Sequence, residues 1–252
     1  MSTESGGELR RSLELMWRGV PEPARGPRQS LTLAGIVRAA ITVADAEGLA
    51  ALSMRRIAAE LESGAMSLYR YVPGKAELTD LMLDEVYGED IPDLEAVEGD
   101  WRARLTRNAQ LQWATYQRHP WMLQIPQGRP LLGPNSMQVT EISLRHLDGL
   151  GLDEHEMVGV VITVSSFVAG LARSTIEYMQ AAERTGLSDE DWWAAHSEIF
   201  VTTLPPGRMP MMDRVGEAGV WDGDFDSFAF GLERLLDGIE VFVNARNGAA
   251  GS

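Results

Sequence analysis

The sequence contains no cysteine, which excludes several kinds of site. Without a thiol, the chain can hold neither a disulfide framework nor a cysteine-ligated zinc or iron–sulfur centre. The four histidines show no ligand spacing, so we expect no metal site and no cofactor.

Long apolar runs are also missing. No stretch reaches the ~18–20 apolar residues that cross a bilayer, and the N-terminus lacks the apolar centre of a secretory signal. Apolar residues make up 44% of the 252 residues and charged residues 23%, which excludes a disordered chain and allows a large core. We therefore predict a cytoplasmic protein without a membrane partner.

A positive net charge is absent as well. The formal charge of −15 argues against a nucleic-acid partner for the chain as a whole. The charge is uneven, however, because residues 20–76 hold seven basic and five acidic side chains. This window carries +2 and the other 195 residues carry −17, which is a first indication of a small anion-binding module.

Apolar residues recur at three- and four-residue steps through most of the chain, as in helices with one buried face. We see no strand-like alternation, so the predicted fold class is all-α. Three intervals are predicted: a flexible N-terminal arm (1–30) containing an amphipathic piece, a compact head (31–88) and a larger helical body (89–252).

The head contains a motif that carries function. Thr32 and Ser53 are predicted N-caps of its first two helices. A tight connection at 62–64 joins the second helix to a third, predicted over about 64–71. This is a helix-turn-helix unit, in which the third helix enters the DNA major groove and the second crosses the backbone.

The side chains of this unit suit DNA, although any three short helices give the same spacing. Arg55 and Arg56 begin the second helix, where a guanidinium reaches a phosphate or a guanine edge. Lys75 opens a fourth helix, whose N-terminal dipole attracts phosphate. The residues of the third helix that can face outward are Ser67, Tyr69, Arg70 and Tyr71.

The run LSMRRIAAELESGAMSLYRYVPGKAELTDLML closely resembles the DNA-binding domain of the TetR family of bacterial repressors. Four later segments resemble the family's C-terminal, tetracycline-repressor-like domain. They are HPW (119–121), GPN (133–135), FVAGLAR (167–173) and FGLERLLDGIE (230–240). The resemblance implies that Tyr69 and Lys75 hold phosphates. It also implies contacts with bases or nearby backbone from Arg55, Ala65, Met66, Ser67 and Arg70.

One position departs from the family pattern. The turn before the third helix usually has glycine where this chain has Glu62, and a left-handed backbone there costs another residue about 1–2 kcal/mol. An acid at this position also faces the phosphates. Either the turn is rearranged around Gly64, or DNA binding is weakened.

The resemblance implies a double-stranded DNA operator of palindromic sequence, bound by a homodimer. A single helix-turn-helix contacts few base pairs, so pairing raises the affinity. The implied pairing surface is formed by two long helices at about 153–182, with Asp153 as N-cap, and about 224–245.

The body also mixes large adaptable side chains with a few polar groups, as small-molecule pockets do. Arg173 and Glu177 share a helix face, where they either pair with each other or orient a ligand. Trp192 and Trp193 cannot both face one side of a helix, so one is predicted at a pocket or a partner. The predicted effector-binding residues are Trp101, Arg104, Trp113, Tyr116, Trp121, Met137, Phe167, Arg173, Glu177, Trp192 and Trp193.

The predicted function is that of a repressor released from its operator by a small-molecule effector. The alternative is a helical small-molecule-binding dimer whose DNA reader is weakened or lost, which Glu62 and the acidic total charge keep open. An enzyme is disfavoured, because no nucleophile, acid/base pair or metal constellation is evident.

Overall fold

The computed structural model describes residues 3–19, 31–126, 128–203, 207–220 and 225–250, which form thirteen α-helices and no strand. The all-α prediction is confirmed. The second part of the predicted flexible arm, residues 20–30, lies outside the described residues. In chain order the helices are α1 (Thr3–Arg18), α2 (Leu33–Glu47), α3 (Met54–Glu60), α4 (Ala65–Leu68), α5 (Lys75–Glu89), α6 (Ile91–Glu95), α7 (Trp101–Arg118), α8 (Pro134–Arg145), α9 (Glu154–Met179), α10 (Ala181–Thr185), α11 (Asp189–Thr203), α12 (Pro210–Glu217) and α13 (Ser227–Ala250).

The three predicted N-caps are confirmed. Thr32 accepts a hydrogen bond from the backbone N–H of Gly35 at 3.0 Å, and Ser53 accepts one from Arg56 at 3.2 Å. Asp153 and Glu156 form a reciprocal capping box at the start of α9. These side chains replace hydrogen bonds that the first turn of a helix lacks, and so fix where α2, α3 and α9 begin.

The third helix of the head is shorter than predicted. It covers Ala65–Leu68, and the chain then passes through a turn over residues 69–71. The residue before a proline is disfavoured in helical conformation, and Val72 precedes Pro73. The fully buried Leu68 anchors the short helix to the core.

The arm and the body contain three helices besides those that the sequence predicts. The first part of the predicted flexible arm is α1, which packs along α5. The acidic connection after α5 contains α6, whose Leu94 is buried against Leu111 and Ile142. The Pro/Gly-rich segment after α11 contains α12, which begins at Pro210, a position where proline is tolerated.

A continuous hydrophobic cluster runs from the head into the body. It includes Ile36 and Leu68 of the head, Met82 in the middle of α5, and Trp121 and Val168 of the body. The helix α5 is therefore shared, since it packs against α2 on one side and α8 on the other. Because close-packed interiors do not absorb displacements, we expect a shift of α5 on the side of the body to be felt in the head.

The helix α9 is long and apolar enough to cross a membrane by length and composition, with a mean hydropathy of 1.6 over 18 residues. The sequence prediction missed this because glycine, serine and threonine interrupt the apolar run. In the fold, α9 packs against α7, α8 and α13. Only 22% of that window is buried, so much of its apolar surface faces outward.

Candidate DNA-binding and effector-binding sites

The outer surface of the head is formed by residues of α3, α4 and the turn that follows. Met66 is 79% exposed and Tyr69 46% exposed. Arg55 and Arg70 are also exposed, and the structure records no ion pair for either. Four predicted DNA contacts thus stand free on one end of the molecule.

The other predicted contacts are less free. Ala65 and Tyr71 are half-buried and pack against the core, and Ser67 is also half-buried. Lys75 is exposed, and its Nζ donates to the backbone carbonyl of Leu49 at 3.2 Å. This bond holds the ammonium group at the N-terminal end of α5, where the helix dipole adds to its charge.

Arg56 differs from its neighbour Arg55. Its guanidinium lies 2.7 Å from Glu47 of α2 and 3.0 Å from Glu60 of α3. The hydrogen bonds to Glu47 and then Glu60 raise the pKa of Arg56. With its charge balanced by two carboxylates, Arg56 ties α3 to α2, and its predicted DNA contact is not supported by this geometry.

The turn before α4 is built around Glu62. Its φ is +48°, so it is the non-glycine residue with positive φ in the described part of the chain. The N–H of Ser63 donates to Ala58 and that of Glu62 to Ala59, which is the hydrogen-bond pattern of a Schellman cap. Gly64 has a φ of −81°, so the turn is not rearranged around it.

Replacing Glu62 with glycine should raise the free energy of unfolding by about 1 kcal/mol, because the strain of a left-handed side chain is removed. It should also tighten DNA binding, because one negative charge per head is lost. Glu62→Gln is the matched control, since it removes the charge and keeps the strain. Thermal unfolding and DNA titrations of both variants separate the two effects. Unchanged values in Glu62→Gly would refute the turn argument.

A cavity of about 910 Å³ lies in the body, between α5, α7, α8 and α9. Its volume falls in the range of roughly 300–1,000 Å³ that holds drug-sized ligands. Its apolar wall includes Leu83, Val86, Leu111, Val139 and Val161. Its polar groups are mainly hydroxyls and amides, namely Asn108, Gln112, Thr115, Ser136, Thr140, Ser143, Ser165 and Ser166.

Two ionisable groups on the cavity wall have pKa values shifted from their usual range. Burial raises the pKa of Tyr116, whose phenol oxygen accepts a hydrogen bond from Nε2 of Gln112 at 3.5 Å. Burial also raises the pKa of Asp80. Both shifts favour the uncharged form, as expected where solvent is excluded.

Of the eleven predicted effector contacts, Tyr116 lies on the cavity wall. Trp113 and Phe167 instead stack with Phe228, with ring centroids 4.7 and 6.3 Å from it, in the core between α7, α9 and α13. Trp121 is 1% exposed. Large aromatic side chains are used here to fill the core.

The remaining predicted contacts also lie off the cavity. Trp101 and Arg104 are half-buried on α7, and Nε of Arg104 is buried without a hydrogen-bond partner. Arg173 and Glu177 are exposed and form no ion pair with each other. The last three of these predicted effector contacts, Met137, Trp192 and Trp193, are also exposed.

A polar cluster that the sequence did not predict connects the cavity wall with the head. We call Asp45, Glu89, His119 and Trp121 the interdomain latch. Nε1 of Trp121 donates to Asp45 of α2 at 2.6 Å. The two ring nitrogens of His119 lie 2.8 Å from Asp45 and 3.2 Å from Glu89 of α5.

The latch reaches the cavity through Asp90, which lies next to Glu89. Asp90 lines the cavity and accepts hydrogen bonds from Thr115, another wall residue, and from Arg118 at 3.1 Å. Arg118 in turn lies 3.5 Å from Glu89. The HPW motif was the signal for this cluster, but only the fold brings Asp45 to it.

Comparison with models of known protein families identifies the two halves of the chain. Residues 36–82 match "Bacterial regulatory proteins, tetR family", and residues 92–243 match "Tetracyclin repressor-like, C-terminal domain". The chain belongs to the TetR family. The TetR-family protein is therefore a ligand-responsive, DNA-binding transcriptional regulator, and the alternative of a lost DNA reader is not favoured.

Individual relatives of this TetR-family chain agree. It is 46% identical to the HTH-type transcriptional repressor DrrR1 of Streptomyces coeruleorubidus, over 98% of this chain and 91% of that one. An HTH-type transcriptional regulator of Saccharopolyspora erythraea is 32% identical over 87% and 89%. Apo ActR of Streptomyces coelicolor superposes with a TM-score of 0.66 at 29% identity, over 89% and 100%. ActR in complex with actinorhodin superposes with a TM-score of 0.65 at 31% sequence identity, over 82% of this chain and 94% of that one.

Proposed function

We propose that this protein is a cytoplasmic homodimeric repressor that binds a palindromic operator and is released by a small molecule in the cavity between α5, α7, α8 and α9. The connection of that cavity to the head carries the proposal. One helix, α5, presents Lys75 at the DNA end and lines the cavity with Leu83 and Val86.

The surface of α9 and α13 supports pairing through these helices. Val158 and Ile162 of α9 are 43% and 59% exposed, and Phe230 and Val241 of α13 are 50% and 70% exposed. Four large apolar side chains on two adjacent long helices form a patch that a second copy of the chain would cover. The same pairing would present two heads to successive major grooves.

The cavity wall favours an effector with a broad apolar body and several hydroxyl or carbonyl oxygens. Such oxygens would match the hydroxyls and amides of α7 and α9, while the aliphatic wall of α5 and α8 would bury the body. The solved ActR complexes with actinorhodin and with (S)-DNPA support a ligand site in this kind of domain.

Release follows from the two ends of α5. A ligand that presses on Thr115 or Asp90 displaces the latch, and with it the contact to Asp45 of α2. The heads then change their separation and lose register with successive major grooves. The effector must bind the released state more tightly, because equal affinity for both states shifts nothing.

The test is fluorescence anisotropy of the purified protein on the DNA flanking its own gene, across a salt series. A sequence-specific repressor should bind in the sub-micromolar range, with log affinity falling steeply against log salt and weak competition from random duplex. Equal binding to random duplex at low salt would contradict operator recognition.

The same assay tests the effector site. Compounds of the actinorhodin type should raise the dissociation constant of the wild-type complex. They should have no effect on Ala169→Trp, in which an indole fills part of the cavity beside α9. Ala169→Trp should still bind DNA like the parent. Equal response of both proteins would place the effector outside this cavity.

A further inference from the structure

The N-terminal helix α1 lies outside both stretches that match the family, yet it is docked at two functional places. It runs along α5, with Leu15 and Met16 packed against the core. It makes two polar contacts: one with a buried acidic residue near the DNA-facing end of α5, and one with the chain just before α8.

The first contact is an ion pair. Nε of Arg11 lies 3.1 Å from Oε1 of Glu77, whose side chain is only 4% exposed. Glu77 is in the first turn of α5, two residues after Lys75. Arg11 thus neutralises a buried carboxylate at the end of α5 that would face DNA. A buried carboxylate without such a partner would cost stability.

The second contact holds the wall of the cavity. Nε1 of Trp17 donates to the carbonyl of Leu132 at 2.8 Å, beside the cavity-lining Leu131. Gly133 is wedged between α1 and α5, since a Cβ there would lie 2.8 Å from Sδ of Met16 and 2.2 Å from Oδ1 of Asp84.

The same Asp84 of α5 anchors α8. Its carboxylate accepts the backbone N–H groups of Asn135 and Ser136 at 3.3 and 3.0 Å, and it is buried. The helices α1, α5 and α8 therefore meet at one junction on the outside of the cavity. The Trp17 bond to Leu132 lies two residues before α8 and so restrains this end of α8 against α5.

We infer that α1 is an intramolecular splint that holds the α8 wall of the cavity to α5 and so sets how easily the effector-bound state is reached. The alternative is that α1 detaches from α5 and acts as a flexible arm that contacts DNA. The inference builds on the proposed function, but its main test needs neither DNA nor an effector.

The test is hydrogen exchange of the free full-length protein. Trp17→Phe keeps the ring and removes the N–H donor, so amide exchange at residues 131–136 should become roughly three- to tenfold faster. Arg11→Gln should have the same effect at residues 76–80. Arg10→Gln is the control, because the ion pair of Arg10 within the described residues is to Glu14 on the same helix, at 3.0 Å. It should change neither segment.

Deletion of residues 1–19 separates the splint from the arm. The splint predicts faster exchange at both segments, while the salt dependence of DNA binding is unchanged. If Trp17→Phe and the deletion leave exchange at 131–136 as in the parent, the splint is refuted. A deletion that only lowers DNA affinity and flattens the salt slope refutes it too, and identifies a DNA arm. Failure of all variants, parent included, to bind DNA would refute the proposed function and leave the exchange result standing.

Discussion

Arg55→Ala should weaken operator binding by about 1–3 kcal/mol at each half-site, whereas Arg56→Ala should leave it within a few-fold of the parent. The two arginines are adjacent at the start of α3 but have different surroundings. Arg55 is exposed and has no carboxylate partner in the part of the chain that the structure describes, so its guanidinium is available to a guanine edge or a phosphate. A dimer loses the contact twice.

Arg56 is expected to act on stability. Its two ion pairs, to Glu47 and Glu60, are partly exposed, and exposed ion pairs contribute little to stability because water screens them. Arg56→Ala should therefore lower the melting temperature slightly, because the link between α2 and α3 is lost.

The measurement is anisotropy on the operator and on operators changed one base pair at a time. In Arg55→Ala one position of the operator should lose its base preference if the contact is to a base. If Arg56→Ala proves the more damaging change, the ion pairs open on DNA binding and the assignment of the two residues is reversed.

The head could be predicted from the sequence because its information is local. Thr32 and Ser53 cap their helices by accepting hydrogen bonds from backbone N–H groups three residues further along the chain, and such caps leave a clear signal in the sequence. The positive φ of Glu62 also follows from the pattern of a turn that usually holds glycine.

The cavity could not be predicted in the same way, because it depends on which face of each helix turns inward. Aromatic side chains were the basis of the prediction, but Trp113 and Phe167 fill the core instead. The polar residues of α7 at 108, 112 and 115 recur at helical spacing and line the wall. A polar stripe beside the buried residues Leu111 and Tyr116 of α7 is the better signal.

The interdomain latch and the docking of α1 could not be predicted from the sequence, because both join residues that are far apart along the chain. His119 and Asp45 are 74 residues apart, and Trp17 and Leu132 are 115 apart. Neither pair has a pattern in the sequence, since a single hydrogen bond between distant residues leaves no periodicity. Both connect regions that the sequence analysis treated as separate, namely arm, head and body.

Val241→Glu should convert the dimer to a monomer and lower operator affinity at least about 100-fold, since one head alone contacts few base pairs. Val241 is 70% exposed on α13 in the single chain, on the surface proposed to meet its copy. Two-fold pairing would bury a carboxylate from each chain without a cation, at a cost of several kcal/mol per charge. The net charge of −15 per chain adds to this repulsion.

Met137→Glu is the matched control, because Met137 is 45% exposed on α8 and lies outside the proposed interface. Sedimentation velocity should give a monomer for Val241→Glu and a dimer for Met137→Glu, with circular dichroism showing equal helix content. Operator titrations should follow the same order. A dimeric Val241→Glu with the affinity of the parent would remove α13 from the interface, and the unexplained apolar surface of α9 would then need another partner.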